Sequence, residues 1–273
     1  MSRLKTTLFL LVCFAATNIY AQKNRNLTAI LELQMPDGEG KNGASVVWHP
    51  EQGKYYAAYA GNVKYPLAIF NKEGKRLSDD ALFTQFDIRG MWYNPNDKKI
   101  HANGYAENGW INYNLNEKGV PTTTNIEHEG MKQPDEQAVG FYNPTAAKTC
   151  FLTGQQITAY SDKAVADEQN IRIYVGKTDA KFDESNNMDK DAETMPEEYN
   201  STSAVYTNIK KAELGLYNAT SKTVELYDIK TGLMTEKLQL PETAPEVTMF
   251  NFAYANGIFW LFDVENRKWI GYK

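Results

Sequence analysis

Three histidines, His49, His101 and His128, are the side chains of this chain best suited to move protons or ligate metals near neutral pH. His128 sits in the stretch NIEHEGMKQPDEQ, between Glu127 and Glu129. A histidine among carboxylates has the right donors for a cation, but no His-x-x-x-His spacing accompanies it. A solvated loop is the favoured reading, and neither a metal nor a cofactor is expected. His49 closes one apolar stretch and His101 falls inside another, so the two are not equivalent. Asp87, in QFDIRG, stands at the entrance to a further strand. If acids and histidines converge at the mouth of a central channel, His128, His101 and Asp87 are the first residues to test for a hydrolase or lyase.

Other chemistry has less support. No Gly-x-Ser-x-Gly elbow occurs, and Cys150 lies within the apolar stretch KTCFLTG, where a buried, inert thiol is the usual case. The run Asp189 to Glu193 places oxygens at alternate positions as calcium loops do, but Thr194 and Asn200 stand where such a loop needs glycine and a bidentate glutamate. Five Trp, 17 Tyr and 12 Phe supply a different resource. Trp110, Tyr65 and Tyr142 fall near turns, where rings stack on sugars or grip a peptide. For Trp110 and Tyr65, cover for the hydrophobic surface of their own sheet is the favoured alternative.

The elements that would hold these residues are β-strands, written in repeats. The stretches VVWHPEQGKYYAAYAG from Val46, GMWYNPNDKKIHANGY from Gly90 and VGFYNPTAAKTCFLTG from Val139 share one plan. Trp48, Trp92 and Phe141 read as equivalent aromatics, 44 and 49 residues apart. Pro50, Pro95 and Pro144 then force a turn, because proline fixes its own φ and disfavours helix in the residue before it. A second strand, a glycine and a third strand follow each time. Two looser units begin near Ser203 and Val247.

Repetition at about 45 residues with several strands per unit predicts an all-β propeller of four-stranded antiparallel blades. The count is five, or six if Ile171–Val175 belongs to a degenerate extra blade rather than to the third. The last unit has three strands, and the stretch LTAILEL from Leu27 is expected to supply the fourth, closing the ring with strands from both termini. Trp48, Trp92, Phe141, Tyr206 and Phe252 are expected to pack between blades. The stretch VELYDIKTGLMTEKLQL, Val224 to Leu240, resembles the blades of bacterial propellers of the NHL-like and quinoprotein-like groups, with looser equivalents near Asn71 and Asn114. That resemblance implies a fold and leaves the activity open.

Residues 1–21 read as a secretory signal: Arg3 and Lys5 precede an apolar run from Leu8 to Ala16, too short to span a bilayer, and Ala21 stands at the cleavage point. Residues 22–273 then form one domain, interrupted by an acidic loop at about 177–200. One cysteine, Cys150, remains after cleavage, so burial rather than crosslinking must stabilise it. The net charge of −5 grows more negative once Arg3 and Lys5 leave, which disfavours nucleic acid. The expectation is an exported, periplasmic or secreted protein without a membrane span that binds a protein or glycan partner, with a hydrolase or lyase as the alternative.

Overall fold

The computed structural model describes residues 23–179 and 194–273. The chain opens with two short strands, β1 (Lys23–Asn26) and β2 (Ala29–Gln34). Blade 1 follows as β3 (Asn42–His49), β4 (Lys54–Ala60) and β5 (Leu67–Asn71), its outer edge formed by an antiparallel bridge between Phe70 and Arg76. Blade 2 comprises β6 (Ile88–Asn94), β7 (Lys99–Gly104), β8 (Trp110–Leu115) and β9 (Pro121–His128). Blade 3 comprises β10 (Phe141–Asn143), β11 (Lys148–Thr153), β12 (Gln156–Tyr160) and β13 (Ile171–Arg172). Blade 4 comprises β14 (Tyr199–Tyr206), β15 (Leu214–Asn218), β16 (Thr223–Tyr227) and β17 (Met234–Gln239). Blade 5 is β18 (Phe252–Ala255), β19 (Ile258–Asp263) and β20 (Lys268–Tyr272), completed by β2. The fold is a five-bladed propeller, all-β among the described residues apart from one short 3-10 turn at Ala106–Asn108.

Both termini close the ring. Strand β2 runs antiparallel to β20, with Leu33 opposite Trp269, and β1 lies parallel on β17, with Arg25 opposite Leu238. Two edges that would otherwise pair with another chain are thereby covered. Ile171 pairs with Ile157 of β12, so this segment is the fourth strand of blade 3, and the described residues form five blades without a sixth. Strand β14 starts at Tyr199, four residues ahead of the Ser203 expected to open that unit. The leader and the Asp189–Glu193 run lie outside the described residues.

Each blade is covered on both faces by its neighbours, which explains why second strands such as KYYAAYA and IFWLFD are continuous apolar runs rather than alternating ones. Five hydrophobic clusters result, one in each gap between blades. Val47 and Tyr56 of blade 1 meet Met91 and Ile100 of blade 2. Trp260 and Trp269 of blade 5 meet Tyr55 and Tyr59 of blade 1. Each large side chain buried this way contributes about 1.5–3 kcal/mol.

The expected equivalence of Trp48, Trp92 and Phe141 is corrected in part. Trp48 pairs with Tyr55 one position before the last pair of its hairpin, the place that Tyr93 and Tyr142 occupy in blades 2 and 3. Trp92 and Phe141 stand one residue earlier. Side chains alternate between the two faces of a strand, so that single step turns Trp48 toward the preceding blade while Trp92 faces the following one. All three still pack between blades, as do Tyr206 and Phe252.

Candidate functional site

The hairpins joining first to second strands set out one face of the molecule. In blades 1 to 3 the loops are four residues long and begin at Pro50, Pro95 and Pro144. The residue before each proline caps its turn: Asn94 Oδ1 accepts from Asn96 N at 3.0 Å, Asn143 Oδ1 from Thr145 N at 3.0 Å, and His49 Nδ1 from Gln52 N at 3.3 Å. Gly53, Lys98 and Ala147 close them with φ of 60°, 62° and 54°. Only Gly53 adopts that conformation without steric cost.

These hairpins surround a central channel of about 400 Å³, lined by the first strands of all five blades, and among the described residues no charged side chain or histidine lies on its wall. One half-buried aromatic from each blade rings it: Trp48, Tyr93, Tyr142, Tyr206 and Tyr254. Three of the rings pack on a neighbouring ring. Trp48 packs on Tyr55 at 4.6 Å between centroids, Tyr93 on His49 at 4.9 Å, and Tyr254 on Phe259 at 4.8 Å. The Tyr142 hydroxyl accepts from Asn96 Nδ2 at 2.9 Å. Burial, the largest influence on each, raises the pKa of Tyr93, Tyr142, Tyr206 and Tyr254, so all four remain neutral phenols with a proton to donate.

A second concavity of about 510 Å³ adjoins the channel and shares Trp92 and Tyr142 with it. It lies in the gap between blades 2 and 3, where the apolar cluster is reduced to Trp92, Trp110, Phe151 and two alanines among its buried members. Polar side chains take the remaining wall. His101 sits with Nδ1 2.6 Å from Glu127 Oε2 and Nε2 2.8 Å from Asp97 Oδ2, its ring stacked on Trp92 at 6.0 Å and 16°. Asn112 Nδ2 donates to Glu127 Oε1 at 2.8 Å, and the amide is held in that sense by Lys99 Nζ and Asn125 Nδ2, which both donate to Asn112 Oδ1. Burial alone would raise the Glu127 pKa; the His101 hydrogen bond and charge, with Asn112 and the charge of His128, outweigh it and hold the carboxyl below its usual value. His128 meets Trp110 edge-on at 5.4 Å and donates from Nε2 to the Asp162 carbonyl at 2.9 Å.

The structure therefore brings His101, His128, Trp110 and Tyr142 to one cleft. Asp87 does not join them: it pairs with the buried Arg89 guanidinium at 2.5 Å, at the far end of β6 from the hairpin. Tyr65 lies in the β4–β5 connection, packed over Gly40 and Gly61. The acids and histidines meet beside the channel mouth rather than in the channel. Cys150 is buried in β11 and its thiol pKa is pushed up to about 12 by desolvation, as suits an inert thiol. Sequence reasoning missed the ring members Tyr93 and Tyr254 as a set with Tyr206, and missed Asp97 as a partner of His101.

Among the described residues no helix is long and apolar enough to cross a membrane. No protein-family model matches the sequence, and no curated protein matches it. The fold is similar to that of a glutaminyl cyclase from Myxococcus xanthus, with a TM-score of 0.50 and 12% identity over 93% of this chain and 98% of that one. Weaker likenesses are to a nidogen/laminin complex (TM-score 0.40, 8% identity, 71% of this chain and 62% of that one) and to a streptogramin B lyase (0.39, 13%, 86% and 66%). At these identities the likeness concerns the propeller fold alone.

Proposed function

We propose that this chain is an exported, non-catalytic binding or scaffolding propeller that engages a protein or glycan partner through the face bearing the first hairpins. One observation carries the reading: five half-buried aromatics, one per blade, ring the mouth of a channel whose wall holds no charge. Flat rings with a polar tip are suited to the faces of sugars and to proline or aromatic side chains of a peptide. Export rests on the apolar run after Arg3 and Lys5, and mass spectrometry of the protein from its native host is expected to find a chain that begins at Gln22, as glutamine or cyclised to pyroglutamate.

The test of binding is capture from the native envelope and a glycan screen, each run with the mature chain and with a Tyr206→Ala/Tyr254→Ala variant. Neither ring is fully buried, so the variant is expected to keep its fold and lose capture. Equal capture by both chains would remove the mouth as the binding surface.

A second reading, a hydrolase or lyase, is favoured by a different observation, the placement of His101 between Asp97 and Glu127 in an open cleft. The glutaminyl cyclase and lyase likenesses add no activity to it, since a shared fold hosts many chemistries. Turnover of a hydrolase and lyase substrate panel that disappears in His101→Gln would favour this reading over the first.

A further inference from the structure

We propose that the cleft between blades 2 and 3 binds a divalent transition-metal ion, with Asp97 and His101 Nε2 as its protein ligands and Glu127 as the residue that positions the imidazole. One donor atom from each of Asp97, His101 and Glu127 lies within 4.8 Å of the other two. The chemistry is that of a borderline ion such as Zn²⁺, Ni²⁺ or Co²⁺, because an imidazole nitrogen suits these ions and not Ca²⁺ or Mg²⁺.

Three features of the surroundings point the same way. First, the charge is incomplete: two carboxylates flank one imidazole, and among the described residues neither carries an ion pair with a lysine or arginine. Second, both ring nitrogens face a carboxylate oxygen, at 2.6 and 2.8 Å. With Nδ1–H donating to Glu127, an ion takes the place that a second proton would hold on Nε2, beside Asp97 Oδ2. Third, Trp110 in the same wall is 3% exposed and, among the described residues, its indole N–H has no acceptor. An unpaired buried donor in this wall is a polar group that a further oxygen in the cleft would satisfy.

The supporting shell is built. A carboxylate on the far nitrogen of a ligating histidine sets the tautomer and ring orientation. Glu127 does this for His101, and is itself held by Asn112. The Lys99 N–H donates to Asp97 Oδ1 at 3.1 Å and leaves Oδ2 free to ligate. Trp92 stacks flat on the imidazole and fixes its plane. The Asp97 side chain is the most exposed of the three, so water reaches the site and completes the coordination shell. A shell so open also leaves positions for an oxygen of a partner lying over the neighbouring mouth.

The mature chain, purified and stripped with chelator, is titrated with Ni²⁺ and with Zn²⁺ by calorimetry. Quenching of tryptophan emission by Ni²⁺ is a second readout, since Trp92 touches the ligating ring. One ion per chain is expected. Asp97→Asn and His101→Gln should abolish binding, Glu127→Gln should weaken it by about 10–100-fold as a positioning residue does, and Glu73→Gln, at an exposed carboxylate of blade 1, should leave it unchanged. Asp97→Asn lies on an exposed turn, so its loss of binding with an unaltered melting curve separates ligation from folding. Binding of similar strength by Asp97→Asn and the parent chain, or no saturable binding by the parent below about 1 mM, a threshold equivalent to about −4 kcal/mol, would overturn the proposal.

Discussion

Gly90→Ala should be among the most damaging single-methyl changes in the molecule. A Cβ built on Gly90 of β6 stands 2.3 Å from the backbone nitrogen and 2.6 Å from the backbone oxygen of Gly140, which leads into β10. Blades 2 and 3 touch here main chain to main chain. Ordinary contact lies near 3.4 Å or beyond, so the two segments must part by about 1 Å, and backbone does not yield as a side-chain tip would. The separation also strains the buried Asn103 amide, which accepts from Gly140 N at 2.9 Å and donates to the Ala138 carbonyl at 2.8 Å. Overpacking typically costs about 1–3 kcal/mol, and the upper end applies where neither side can relax. At about 2–4 °C per kcal/mol for a domain of this size, Tm should fall by roughly 6–12 °C. Calorimetry and urea unfolding would measure it, the latter through a lower midpoint at unchanged slope. A Gly90→Ala chain that melts within about 2 °C of the parent would refute the reasoning that these blades are in backbone contact.

Three further outcomes follow from the same geometry. Deleting residues 23–34 removes Leu27 and Leu33, 2% and 0% exposed, and uncovers the edges of β17 and β20; the truncated chain should elute as oligomers on size exclusion, and a monomer of unchanged Tm would count against terminal closure. Trp260→Ala empties a fully buried site between blades 5 and 1 and should cost about 3–5 kcal/mol, read from the urea midpoint. His49 is buried with Nε2 3.1 Å from the Lys98 carbonyl and Nδ1 accepting from Gln52, contacts that a neutral ring satisfies, and burial, outweighing the Lys98 hydrogen bond, lowers its pKa below the usual 6.5. The unfolded chain therefore binds the proton more readily, so stability should rise with pH through the region below and around 6.5 and level off above it; His49→Gln should flatten that slope in urea midpoints between pH 5 and 8, while an equal slope in both chains would contradict it.

Much of the architecture was legible because it is carried by local chemistry. Pro50, Pro95 and Pro144 mark the hairpins, continuous apolar runs mark strands covered on both faces, and the LTAILEL stretch supplies the closing strand. What failed was the choice of anchor. Aligning on the large aromatics placed Trp48 with Trp92, a slip of one residue that reverses the face on which the side chain stands. Aligned on the prolines instead, Trp48, Tyr93 and Tyr142 fall together two residues before each proline, and the mouth ring begins to show. The same alignment puts His101 six residues after Pro95, where Tyr56 and Cys150 follow Pro50 and Pro144. A histidine in an otherwise buried, weakly polar place is a signal for a site, and it was available. The partnership with Glu127 was not, because it joins β7 to β9 across β8 and depends on register that the Thr-rich β9 does not announce.

In the proposed role, the mouth of the propeller is the surface that meets a partner. A photo-crosslinking benzophenone residue at position 206 or 254, with the same residue at the outer-rim positions 30 and 77 for comparison, measures this directly in the native host. Adducts, detected as shifted protein or glycan bands, are expected from 206 and 254 and not from the rim. Adducts from positions 30 and 77 with none from the mouth would contradict it.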